Sequence, residues 1–174
     1  MNYSAITYPD VNNGIGCRVT LFVSGCPHHC EECHNPETWD EHFGREYTVK
    51  TRNKLIQLLS PYYMKGLTIS GGEPLFKPHR EEVFNLISKV KAVLPEKDIW
   101  IYTGYRIEDL IPIGEEIDKN SFMYQLLTHV DVLVDGRYMK DLRDTSLAFR
   151  GSSNQRIIDV KATLDKNKVI TLNL

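Results

Sequence analysis

Three cysteines lie close together near the start of the chain. Cys26, Cys30 and Cys33 have the spacing C-x3-C-x2-C, so their thiols can meet on one centre only if the intervening chain curls around it. An iron–sulfur cubane normally takes four cysteine thiolates, in spacings that differ from this one. Three thiolates would leave one iron with an open position, and an open position distinguishes a reactive metal site from a closed structural one. The spacing therefore predicts a reactive iron–sulfur centre.

Two other interpretations of these cysteines stay open on the loop alone. His28, His29 or His34 could complete a closed Cys3His zinc site in a zinc-stabilised binding module, since C-x2-C is common in zinc sites. A disulfide would leave one of the three thiols unpaired. The fourth cysteine, Cys17, has no cysteine near it in sequence, and we expect it to be a small buried apolar residue.

A second segment whose residues could bind a ligand is Gly71-Gly72-Glu73-Pro74, which follows a short apolar run. Two glycines let the backbone take positive φ and approach a ligand closely. Pro74 favours an extended Glu73, whose carboxylate could then accept a charge-assisted hydrogen bond from an ammonium group. An ordinary turn between a strand and a helix is the alternative.

The elements that must position these segments alternate between strands and helices. Apolar and β-branched runs predict strands over residues 18–24, 66–69, 98–103 and 130–134. Helical periodicity predicts helices over 49–59, 78–94 and 121–127, with a short one after residue 106. This alternation favours an α/β fold with a mainly parallel sheet, in which ligands collect at the carboxyl ends of the strands.

So few parallel strands cannot close an eight-strand barrel, so we expect an open partial (β/α) barrel. The length of 174 residues fits a single domain over residues 1–174. The tail, residues 156–174, alternates on both sides of Asp165-Lys166-Asn167 and predicts a C-terminal β-hairpin.

Composition excludes several classes of partner. The net charge of −2 gives no basic footprint for nucleic acid. No apolar run approaches the roughly 20 residues that span a bilayer, and residues 1–10 lack the pattern of a signal peptide. We therefore expect a cytoplasmic protein with no nucleic-acid and no membrane partner.

Taken together, the cysteine triplet after a strand and the Gly-Gly-Glu segment after the next strand resemble the radical SAM superfamily. That resemblance implies a radical SAM type of barrel and a [4Fe-4S] cluster with Cys26, Cys30 and Cys33 as metal ligands. It also implies that the open iron binds the amino and carboxylate groups of S-adenosyl-L-methionine (SAM), and that Gly71, Gly72 and Glu73 bind its methionine end. Glu32 departs from the pattern, because the superfamily often has an aromatic residue there.

Further segments resemble one family, the activating proteins of anaerobic ribonucleoside-triphosphate reductase. They are residues 1–3, 20–26, 35–39, 98–105, 131–138 and 150–155. The resemblance implies that a donor such as reduced flavodoxin gives the cluster one electron and that SAM splits into methionine and a 5′-deoxyadenosyl radical. The radical then takes hydrogen from a glycine of the large reductase subunit, leaving a glycyl radical. The activase of pyruvate formate-lyase shares the two motifs and is the closest alternative, but it should lack the Arg150 segment.

Four more residues are candidates for contacts with SAM. Glu32 and His34 flank Cys33, so these three residues should lie near the bound ligand. Asp135 ends a strand on the same edge and could bond SAM or orient a neighbour, with an Asp-Gly turn as the alternative. Arg150 could receive the SAM carboxylate or the partner's glycine loop, with a polar turn as the alternative.

The remaining aromatic residues are less informative. Tyr102 and Tyr105 fit core packing and adenine contact equally well. We expect His42, His79 and His129 at the surface or as helix caps. No general acid or base is assigned, because the chemistry would belong to the cofactor.

Overall fold

The computed structural model describes residues 1–174 and is built on one seven-stranded sheet. Its strands are β1 (Asn2–Asp10), β2 (Cys17–Ser24), β3 (Arg45–Glu46), β4 (Met64–Gly71), β5 (Asp98–Tyr102), β6 (Val132–Asp135) and β7 (Arg156–Asp159). They lie in the order β3-β1-β2-β4-β5-β6-β7. The four strands β2, β4, β5 and β6 are parallel, and β1, β3 and β7 add antiparallel pairs at the edges. The predicted α/β class and the mainly parallel centre are confirmed.

The chain also forms five α-helices. They are α1 (Val49–Leu59), α2 (Arg80–Val93), α3 (Ile107–Leu110), α4 (Phe122–Leu127) and α5 (Val160–Lys166), with single 3₁₀ turns at Pro36–Trp39, Lys77–His79 and Lys140–Leu142. Helix α1 begins after Thr48, whose hydroxyl accepts a hydrogen bond from the Thr51 N–H. None of the helices has the length and apolar character that crossing a bilayer requires.

The two faces of the sheet differ because side chains alternate along each strand. On one face, residues such as Val19, Leu67 and Ile99 pack against the helices in a core of 24 buried apolar residues. The opposite face carries the intervening residues, which are more polar and aromatic. Arg18 is fully buried there, with its Nη2 2.6 Å from Asp98 Oδ1 and its guanidinium 5.2 Å from the Trp100 ring centroid.

The predicted C-terminal β-hairpin is wrong, because helix α5 follows β7 directly. The Asp159 carboxylate accepts a hydrogen bond from the Ala162 N–H, and Val160 and Thr163 are buried on the inner side of the helix. Asn167 ends it in the left-handed conformation, with φ of 48°. The chain then returns beside β7, where the Leu172 N–H donates to the Ile157 carbonyl at 2.7 Å. The tail therefore does pair with β7 in the antiparallel direction, but helix α5 and not a tight turn connects the two segments.

Candidate functional site

A cavity of about 330 Å³ opens at the carboxyl ends of the four parallel strands. Its walls come from the loops that follow these strands and from one further segment. They include residues within 26–35, 70–73, 102–104, 136–138 and 150–155. The cysteine loop and the Gly-Gly-Glu segment therefore line one cavity, at the edge where a parallel sheet normally binds its ligands.

All three clustered cysteines line this cavity, and none forms a disulfide. Burial raises the pKa of the Cys26 thiol to about 11, and burial together with the neighbouring Cys33 raises the pKa of Cys30. A buried thiolate is stabilised when a metal takes the place of the proton, so this donor set suits a thiophilic metal centre. No three His, Cys, Asp or Glu side chains, these thiols included, lie close enough together to hold a single metal ion.

Glycines bring the Gly-Gly-Glu segment against the start of the cysteine loop. Gly71 has φ of +99°, and a Cβ on Gly72 would lie 2.6 Å from the Gly25 carbonyl oxygen. The Gly72 N–H donates to the Val23 carbonyl at 2.7 Å, and the Glu73 N–H donates to the Gly25 carbonyl at 2.9 Å. The two segments are therefore joined by backbone hydrogen bonds that a larger residue would disrupt.

Glu73 is fully buried, and its carboxylate is hydrogen-bonded on every side. Oε1 accepts from the Leu75 N–H and the Thr103 hydroxyl, both at 2.8 Å. Oε2 accepts from the Gly104 N–H at 2.7 Å and lies 2.8 Å from His28 Nε2. Glu73 thus ties the loop after β4 to the loop after β5 and to the cysteine loop.

His28 reaches from the cysteine loop into this network. Its side chain is 4% exposed, and its ring packs edge-on against Tyr105 with a centroid separation of 4.6 Å. A Cβ on Gly104 would collide with the same ring. The second ring nitrogen, Nδ1, is buried and has no hydrogen-bond partner.

The other predicted site residues divide between the cavity and its surroundings. His34 and Arg150 line the cavity. Arg150 Nη1 donates to the Gln155 carbonyl at 3.0 Å, while its Nε is buried without a partner. Glu32 does not line the cavity; its carboxylate is exposed and lies 2.9 Å from Lys140 Nζ. The structure therefore places Arg150 where a ligand contact is possible and turns Glu32 outwards.

Asp135 also lies outside the cavity lining, although Gly136 after it is part of the wall. Its buried carboxylate accepts from Arg156 Nε at 2.9 Å and from the Ile107 N–H at 2.9 Å. The Asp135 carboxylate therefore binds protein groups outside the cavity. Arg156 continues to Glu108, with which it makes two hydrogen bonds at 2.9 and 2.7 Å.

This ion-pair network predicts an acid-sensitive contribution to stability. The hydrogen bonds from Arg156 lower the pKa of Glu108 from its ordinary value of 4.5 to about 2. A carboxylate with a lowered folded-state pKa stabilises the fold above its unfolded-state pKa, and that stabilisation disappears as the pH falls towards the folded-state value. We expect the melting temperature of the wild type to exceed that of Glu108→Gln at pH 7, and the difference to shrink below about pH 4.5. A difference that stays constant from pH 7 to pH 3 would contradict this account.

The chain is similar to one family of known proteins. Residues 12–158 match the family model described as a 4Fe-4S single cluster domain. Proteins named anaerobic ribonucleoside-triphosphate reductase-activating protein are 46% identical to the chain in Enterobacteria phage T4, over 90% of this chain and 93% of the relative, and 39% identical in Escherichia coli K12, over 89% and 96%. That of Vibrio cholerae serotype O1 is 40% identical over 90% of this chain and 97% of the relative.

The chain belongs to this family of activating proteins. The matched range of the family model contains the cysteine loop, the Gly-Gly-Glu segment and Arg150. An iron–sulfur cluster is therefore the metal centre by which the family is described. The similarity also extends over nearly the whole length of the relatives.

In this activating protein, several cavity residues were not predicted from the sequence. Thr103 and Gly104 come directly after β5 and donate hydrogen bonds to Glu73. Arg137 and Tyr138 lie in the loop after β6 and also line the cavity. Their position just past a strand end is the signal that could have identified them. His79, expected at the surface or as a cap, is the N-cap residue of α2, and its side chain is buried with Nδ1 3.0 Å from the Glu73 carbonyl oxygen.

Proposed function

We propose that this protein is a radical SAM enzyme that generates the glycyl radical of anaerobic ribonucleotide reductase. The observation that carries the proposal is the meeting of three unpaired cysteines and the Gly-Gly-Glu segment in one cavity. Relatives of nearly the same length are named as activating proteins of that reductase. The proposed architecture is a single domain over residues 1–174, with the sheet forming an open partial barrel of the radical SAM type.

The residues of the cavity fit a [4Fe-4S] cluster and SAM. Cys26, Cys30 and Cys33 supply three thiolates and leave one iron for a ligand. Two buried polar atoms without partners, Arg150 Nε and the Tyr102 hydroxyl, belong to residues that line the cavity and could satisfy a polar ligand such as SAM. When bound, the cluster supplies one electron, from a donor such as reduced flavodoxin, that splits SAM into methionine and a 5′-deoxyadenosyl radical.

The chain itself binds and orients the reactants. Gly71, Gly72 and Glu73 form the wall that receives the methionine end of SAM. Arg150 lies in the segment 150–155 of the cavity wall, and its positive charge suits the carboxylate of SAM. His34, next to Cys33, lies where its backbone can contact the same ligand. These groups belong to loops that follow different strands of one sheet, so the ligand is held by a rigid frame.

The substrate is a glycine in the large subunit of the reductase, so the mouth of the cavity must admit a protein segment. Lys140, in the loop after β6, lies 3.1 Å from Glu31 and 2.9 Å from Glu32 of the cysteine loop. These ion pairs are exposed and therefore weak, so they can open at low cost. We place the entry of the glycine loop beside them.

Electron paramagnetic resonance (EPR) on mixed proteins tests this function. The protein is reconstituted with iron and sulfide under anaerobic conditions and mixed with SAM, a reductant and either the reductase large subunit or pyruvate formate-lyase. We expect a glycyl-radical doublet with the reductase and none with the lyase. A doublet with the lyase alone would show that the lyase, and not the reductase, is the substrate. The absence of a doublet with either protein would refute the proposed function.

A further inference from the structure

The glycine that reacts in the proposed function has no side chain by which a binding site could recognise it. The residues that flank this glycine in the reductase must therefore distinguish it from other glycines. Because the glycine itself has to reach the interior of the cavity, its neighbours in sequence come to lie at the cavity mouth. The residues that select the partner should then be found on the surface of this mouth.

The mouth of the cavity carries an exposed apolar pair. The chain leaves the cavity wall at Tyr138 and forms a single turn over residues 139–142, which we call the mouth turn. The Leu142 N–H donates to the Met139 carbonyl at 3.1 Å, so these two residues stand at the two ends of the turn. Their side chains are 39% and 48% exposed, respectively. Single exposed apolar side chains need no explanation, whereas a pair at the rim of a cavity offers a contact surface to a segment that enters it.

Hydrogen bonds to the segment 150–155 hold the mouth turn in place. The Met139 N–H donates to the Ser152 hydroxyl at 3.2 Å, and the Ser153 N–H donates to the Leu142 carbonyl at 2.9 Å. Both ends of the turn are thus bonded to a segment that itself contributes to the cavity wall. The apolar pair is therefore positioned before a partner arrives, and a surface that needs no ordering loses less free energy on binding.

The cation of the mouth turn, Lys140, is already paired within the protein. Its Nζ lies 3.1 Å from Glu31 Oε1 and 2.9 Å from Glu32 Oε1. Exposed ion pairs of this kind contribute little, so the main contribution that the turn can make to binding is the burial of its apolar side chains. The partner that fits is a protein segment with an apolar side chain close to its glycine.

We propose that Met139 and Leu142 form the docking surface for the segment of the reductase large subunit that carries the target glycine, and that they contact an apolar side chain beside that glycine. The inference rests on the proposed function and deepens it, since it names the residues that select the protein substrate. Methionine suits this role because its unbranched, polarisable side chain adapts to the surface that it meets. Neither residue lines the cavity, so both act on the partner and not on SAM.

Three double variants test this surface. Met139→Ser with Leu142→Ser, the serine pair, removes the apolar side chains without changing the cavity wall. Met139→Leu with Leu142→Met, the exchanged pair, keeps the apolar character of the turn. Tyr62→Ser with Tyr63→Ser is the control, because these two exposed residues immediately precede β4, at the opposite end of that strand from the cavity.

Two quantities are measured for each reconstituted protein. They are the dissociation constant for the reductase large subunit and the rate of methionine release from SAM in the absence of the reductase. We expect the serine pair to raise the dissociation constant at least about tenfold, because truncation of a central apolar contact weakens an interface by this amount or more. Methionine release should stay at the wild-type rate. The exchanged pair and the tyrosine control should match the wild type in both measurements.

The outcomes distinguish the inference from the function on which it rests. An unchanged dissociation constant for the serine pair would overturn the inference and leave the proposed function standing. An equal loss of affinity in the exchanged pair or the control, or slower methionine release from the serine pair, would also overturn it. If the serine pair changed the mass of the protein alone in sedimentation, the surface would join two copies of this chain, and the inference would be wrong. If the wild type released no methionine and formed no glycyl radical on the reductase, the proposed function would fail, and the inference with it.

Discussion

Replacement of any one of Cys26, Cys30 and Cys33 by alanine is expected to abolish reductive cleavage of SAM. Each supplies one of three proposed thiolate ligands, and two thiolates cannot hold a four-iron cluster in a cavity that offers no other cysteine. The loss should be complete, because without the cluster no group of the protein can deliver an electron to SAM.

Iron content and the release of methionine from SAM under anaerobic reduction measure this effect. Cys17→Ala is the control, because Cys17 begins β2 beside Met64 and does not line the cavity. We expect the control to retain both iron and cleavage. If Cys17→Ala lost the cluster, or if one of the other three variants kept it, the assignment of the ligands would be wrong.

Replacement of Glu73 by alanine should lower the free energy of unfolding by about 3–5 kcal/mol. The fully buried carboxylate is the common acceptor for the Leu75 and Gly104 N–H groups and the Thr103 hydroxyl. Without it, these donors stay buried with no partner, and each unsatisfied group costs about 1–3 kcal/mol. Three loops around the cavity would lose their common link at the same time.

Urea unfolding of the wild type and the variant, at the same iron content, measures this cost. Glu96→Ala is the control, since the Glu96 side chain is 61% exposed and its buried partner Lys97 keeps its hydrogen bonds to the Pro61 and Met64 carbonyls. The control should change the free energy of unfolding by less than about 1 kcal/mol. A similarly small change in Glu73→Ala would mean that the network around Glu73 contributes little to the fold.

The regular part of the fold could be predicted from the sequence because its patterns are local. Helix α1 has the predicted bounds, since Thr48 caps it and its apolar residues recur at helical spacing. The strands β2, β4, β5 and β6 are buried and rich in β-branched and apolar residues, so they were found within a few residues. Their parallel order followed from the alternation with helices.

The edges of the sheet could not be predicted in this way. Strand β1 is only partly buried, and its pairing with β2 is interrupted by irregularities at Ser4 and Tyr8-Pro9, so it carries no clean alternation. In the tail, Val160 and Thr163 fit both a strand and a short helix, and the capping carboxylate of Asp159 decides for the helix. The spacing of apolar residues alone does not distinguish a strand from a helix in so short a segment.

The candidate site was predicted in its location but not in its internal contacts. Spacing placed the cysteines and Glu73 at one end of the sheet, where the structure has them. It could not show that Asp135 would bind Arg156, or that Glu32 would turn towards Lys140, because these partners are distant in sequence. The sequence indicates His28 only as a possible zinc ligand, since its contact with Glu73, 45 residues away, exists only in the folded chain.

The central claim is a four-iron cluster with one iron free to bind SAM, and the EPR spectrum of the reduced protein tests it most directly. The anaerobically reconstituted protein is reduced and its spectrum recorded before and after SAM is added. We predict an S = 1/2 cluster signal whose g values change on addition of SAM, because the ligand field of the open iron changes when SAM binds. A cluster signal that SAM leaves unchanged would contradict the account. So would a protein that gives no cluster signal and holds a zinc ion coordinated entirely by protein side chains.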